Sequence, residues 1–109
     1  MSERVFEVTE VTLGVTGVRS IRIDAQGNAS SAGWTNPALV RSESGGERAP
    51  NVFHFDFVAD PPQGMSAQVL TPISASEGMS VPTGQRIRIV VHAASNEESA
   101  EIELSDDPI

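Results

Sequence analysis

Two histidines and an aspartate are the side chains best suited to chemistry in this chain. His54 and Asp56 alternate with phenylalanines in Val52-Phe53-His54-Phe55-Asp56-Phe57-Val58, and His92 closes a second apolar run at residues 85–93. A strand turns successive side chains to opposite faces, so His54 and Asp56 share one face. If the two runs pair, two imidazoles and a carboxylate meet, a donor set suited to Zn²⁺ or another divalent metal, or to a small polar ligand. The competing reading is the solvent-facing row of a sheet, in which polar residues are the norm. His92 shares its parity with Arg88 and Val90, as an outward row would.

Other constellations are weaker. Serines are plentiful, but no Gly-x-Ser-x-Gly elbow holds one as a nucleophile for a Ser–His–Asp arrangement. The acidic run Glu97, Glu98, Glu101, Glu103, Asp106 and Asp107 lacks the alternating ligand loop of a calcium site. No phosphate-cradling glycine loop or dinucleotide fingerprint occurs. With no catalytic signature and no cofactor motif, the chain reads as a non-enzyme that carries no cofactor. Trp34, the single tryptophan, lies in the bent stretch Gly33-Trp34-Thr35-Asn36-Pro37. Trp34, Thr35 and Asn36 are therefore candidate contact residues for a ligand or partner, because a rigid aromatic offers contact area at little entropic cost. The alternative is that the Trp34 ring plugs one end of the core.

These side chains need elements to position them. Phe53, Phe55 and Phe57 are three of the chain's four phenylalanines and form one stripe, around which the core is expected to assemble. Residues 5–13 alternate but change apolar parity near Thr9-Glu10, which predicts a bulge or a strand passing between sheets. Residues 18–25 read as a second strand, with Gly14-Val15-Thr16-Gly17 as the hairpin turn and Gln26-Gly27-Asn28 as another turn. Pro37 precedes a short strand at residues 38–41, and the Gly-rich, charged residues 42–50 read as a flexible loop. Residues 65–71 are expected to be a strand and 72–80 a loop. Residues 81–84 read as a turn, 85–93 as a strand with Ile87, Ile89 and Val91 inward, and 95–98 as a turn. The last strand places Ala100, Ile102 and Leu104 opposite Glu101 and Glu103, before a frayed acidic C-terminus.

About seven short strands and no helical period predict one all-β domain over residues 1–109. The favoured form is an antiparallel β-sandwich, with immunoglobulin-like topology as one variant and a small β-barrel as the alternative. A chain of 109 residues is long enough for a single core.

Charge and composition exclude several partners. The net charge is −8, and from Ser95 onward there are six acids and no base. Such a field repels nucleic acid and anionic lipid. No window approaches the roughly 18 apolar residues of a membrane span. The chain has no cysteine, hence no disulfide or thiolate site, and its first residues do not read as a signal peptide. Unless a secretion signal has been trimmed, this composition favours a reducing, cytoplasmic setting. The function expected is therefore a soluble, non-enzymatic binding or protein-interaction module that presents its loops and a free sheet edge, with another protein as the expected partner. A metal or small-ligand protein using His54, Asp56 and His92 is the first alternative, and a self-assembling structural component the second. The oligomeric state is left open.

Overall fold

The structure is a computed structural model and describes residues 2–41, 52–64, 67–81 and 86–103. Among these residues every regular element is a strand: β1 (Glu3–Arg4), β2 (Glu7–Gly17), β3 (Ser20–Ala29), β4 (Thr35–Arg41), β5 (Val52–Asp60), β6 (Thr71–Ser80), β7 (Arg86–His92) and β8 (Glu97–Glu103). Among the described residues no helix is long and apolar enough to cross a membrane.

The strands form two packed sheets, as an all-β sandwich requires. One has the order β2-β3-β6. In the other, β5 is central. It carries β4 along one edge, while β7 and then β1 share the opposite edge, with β8 beyond β7. Two open sheets, not one closed barrel, enclose the core. Among the described residues every pairing is antiparallel except β5 with β7. That parallel pair exists because the chain leaves β5, makes β6 in the other sheet and returns to β7 running the same way. The five-plus-three division is not the four-plus-three division of the immunoglobulin constant type, so the immunoglobulin-like variant is not established.

The stripe on β5 sits at the centre, as its bulk predicts. Phe57 and Phe55 are buried with Ala59, against Ile21 and Ile23 of β3 and Ile87, Ile89 and Val91 of β7. Phe53, expected to be buried with them, is half-buried at the end of the stripe, where the Arg41 guanidinium lies 4.8 Å from its ring centroid.

The parity change in the first strand has two causes. Register shifts between Val8 and Glu10, which is the expected bulge. The chain has also already changed sheets: β1 pairs with β5, and Val5 donates to the Phe57 carbonyl before β2 begins. Asn96 fastens this corner, its side chain accepting from the Val8 N–H at 2.9 Å and donating to the Val8 carbonyl at 2.8 Å.

Several expected turns are strand instead. Residues 14–17 continue β2, and the chain reverses at Val18-Arg19. Gln26-Gly27-Asn28 lies inside β3, paired on both sides. Gly27 is there for close approach, since a Cβ at that position would stand 2.1 Å from the Glu7 carbonyl oxygen. Residues 72–80 are not a loop but most of β6, in unbroken register with β3. Residues 67–70 form no strand, and 65–66 lie outside the described residues. So do residues 42–50, 82–84 and 104–109, on which the expected flexible loop, part of a turn and the frayed terminus fall. The turn expected at 95–98 lies slightly earlier, closed by the Ala93 N–H donating to the Asn96 carbonyl.

Candidate functional site

The outer face of the five-stranded sheet brings the histidines together. The parallel register sets His54 opposite Val90 and Asp56 opposite His92, and His92 in turn faces Glu97 across β7 and β8. His54 and His92 are thus diagonal neighbours on one face, within reach of long side chains. Their rings stack 20° from parallel with centroids 5.1 Å apart, and His54 Nδ1 lies 2.9 Å from His92 Nε2.

A contact of that length is a hydrogen bond in which one imidazole donates and the other accepts. The Glu97 carboxylate, 3.5 Å from His92 Nδ1, favours a proton on that nitrogen. His92 Nε2 is then the acceptor and His54 Nδ1–H the donor.

Asp56 is held from another direction. Arg4 Nη2 stands 2.8 Å from Asp56 Oδ1, an ion contact across β1 and β5. Oδ1 is shielded from water and has no hydrogen bond among the described residues, so the guanidinium compensates its charge without lying in hydrogen-bond line. The sheet therefore assembles all three predicted residues on one face but bonds only the two histidines to each other. Among the described residues, no group of three or more His, Asp or Glu is arranged to hold a metal ion.

The tryptophan loop divides its three candidates. Trp34 packs against the core, half-buried, and its Nε1 donates to the buried Ser31 hydroxyl at 3.1 Å. Thr35 is exposed. Asn36 takes a left-handed conformation (φ 53°) and donates through Nδ2 to Asp60 Oδ2 at 3.0 Å. The backbone there turns Trp34 inward and leaves Thr35 and Asn36 on the rim.

No family model, curated protein or solved structure matches the chain. Its own surfaces must carry the functional argument.

The sheet edges differ from one another. Partners in register share a face. Arg41 of β4 pairs with Phe55, Glu77 of β6 with Ile23, and Glu98 of β8 with Val91. Each of those three edge strands therefore carries a charge on its core-facing row, a device that discourages another strand from adding there. β4 and β6 also contain Pro37 and Pro72. On β2 the core-facing row after the bulge is Val11, Leu13 and Val15, and residues 11–17 contain no charge and no proline. Beyond Val8 that edge has no backbone partner among the described residues except β3. Val15 is 59% exposed and Val18, in the turn, 84%.

Proposed function

We propose that this protein is a non-enzymatic protein-interaction module that takes up an extended segment of a partner chain along the open edge of β2. One observation carries the reading: among the described residues, of the four edge strands longer than two residues, only β2 lacks a core-facing charge. Strand addition draws affinity from main-chain hydrogen bonds and specificity from the alternating side chains. An uncharged edge of Thr, Val, Leu and Gly suits that role. The half-buried histidines fit a supporting part, linking β5 to β7 behind the core.

Site-specific photo-crosslinking in the cells that make the protein tests the proposal. A photoreactive residue at Thr12 or Thr16 should capture a protein, and one at Ser74 on the outer face of β6 should not. Val15→Glu should abolish the capture. Equal crosslinking from all three positions, unaffected by Val15→Glu, would overturn it.

A further inference from the structure

We infer that the partner of the β2 edge is a second copy of this chain, joined antiparallel, β2 to β2, about a two-fold axis near Gly14. The inference rests on the strand-addition reading and names its partner. Other edges suit self-association poorly. β8 would set Glu97, Glu98, Glu101 and Glu103 against their own copies, in a chain already at −8.

The β2 edge is self-complementary. Its uncharged stretch, residues 11–17, centres on Gly14. Antiparallel pairing about that point sets Leu13 against Val15 of the other copy, and the register slip between Val15 and Gly17 brings Thr12 level with Thr16 and Gly17. Leu13 and Val15 both face the core, so the apolar row of each copy continues across the seam on one face. A two-fold interface makes each contact twice.

Charge then fixes the register. The stretch is bounded by Glu10 at one end and by Arg19, in the turn, at the other. Both are exposed and neither makes an ion pair among the described residues. They cannot reach each other within one chain, since seven residues of strand, Val11 to Gly17, and then Val18 separate them by roughly 25 Å. In the pairing centred on Gly14, with the slip between Val15 and Gly17 counted, Glu10 of each copy lies level with the Val18-Arg19 turn of the other. Both ends of the seam thus gain an opposite-charge pair that the single chain cannot form.

Sedimentation equilibrium of the purified chain tests this. The expected result is a reversible dimer of twice the 11.5 kDa chain mass. Glu10→Arg and Arg19→Glu should each weaken the dimer about tenfold or more, because an attractive pair becomes repulsive at two places. The double variant, with the charges exchanged, should recover most of the wild-type affinity. Val15→Glu, at a position exposed in the single chain, should give a folded monomer by circular dichroism. A wild-type chain that stays monomeric at millimolar concentration, or single charge reversals that leave the dimer unchanged, would overturn the inference. A synthetic peptide of residues 10–19, titrated into monomeric chain, separates the two levels. If it binds wild type but not Val15→Glu, the edge accepts strands and only the homodimer fails. If it binds neither, the strand-addition reading fails as well.

Discussion

His54 Nδ1 and His92 Nε2 meet at 2.9 Å across the parallel pair of β5 and β7. The contact ties β5 to β7 on the face away from the core, where the two rings also stack. His92→Gln, which removes the stacked ring and its bond, should lower stability by about 0.5–1.5 kcal/mol. Urea denaturation of the variant beside the parent chain measures the difference, and equal midpoints would show that the pair does not contribute.

The phenylalanine stripe should be graded in energy along β5. Phe55→Ala and Phe57→Ala should each cost about 3–5 kcal/mol, as for fully packed aromatics. Phe53→Ala should cost clearly less, since Phe53 is half-buried and capped by Arg41. Denaturation midpoints of the three variants check the order, and equal losses would contradict the packing.

Two glycines should respond oppositely to alanine. At Gly27 the new methyl would stand 2.1 Å from the Glu7 carbonyl oxygen, forcing β2 away from β3. At Gly14 nothing lies within 4 Å, and removing a strand glycine stabilises by roughly 0.5–1 kcal/mol. Thermal melts should show a lowered midpoint for Gly27→Ala and an unchanged or raised one for Gly14→Ala.

Asn96 closes the corner between the sheets through paired bonds to the Val8 backbone. Asn96→Ala should cost about 1–3 kcal/mol, because it strands a donor and an acceptor near the core. Amide hydrogen exchange at Val8 should accelerate in this variant. Unchanged protection there would place the fastening elsewhere.

Trp34 should be partly shielded from iodide, its ring lying against the core and its Nε1–H on Ser31. Ser31→Ala should raise its quenching and shift its emission to the red. Full shielding of Trp34, unaltered by that change, would mean that the ring is wholly core.

The all-β class, the central stripe and the inward rows of β3 and β7 were legible in the sequence, because alternation with bulky apolar residues leaves each strand one face to bury. Bulk is also what the misread segments lack. In β6 the alternation Ile73-Ser74-Ala75-Ser76 is present, but small residues and Pro72 resemble a loop until β3 supplies ten partners in register. Gly27 has the composition of a turn and the role of a close contact, a distinction made only by the neighbouring strand.

At the candidate site, the sequence named His54, Asp56 and His92 and placed the first two on one face. Which strands pair, and in which direction, decided the rest. The parallel register of β5 with β7 makes the imidazoles diagonal neighbours, and β1 brings Arg4 to Asp56. The edges show the same division. The absence of charge from residues 11–17 can be read from the chain. That β2 lies at an edge, with its apolar row unguarded, follows only from the order of the sheets, because pairing between distant segments depends on the whole packing and not on local preference.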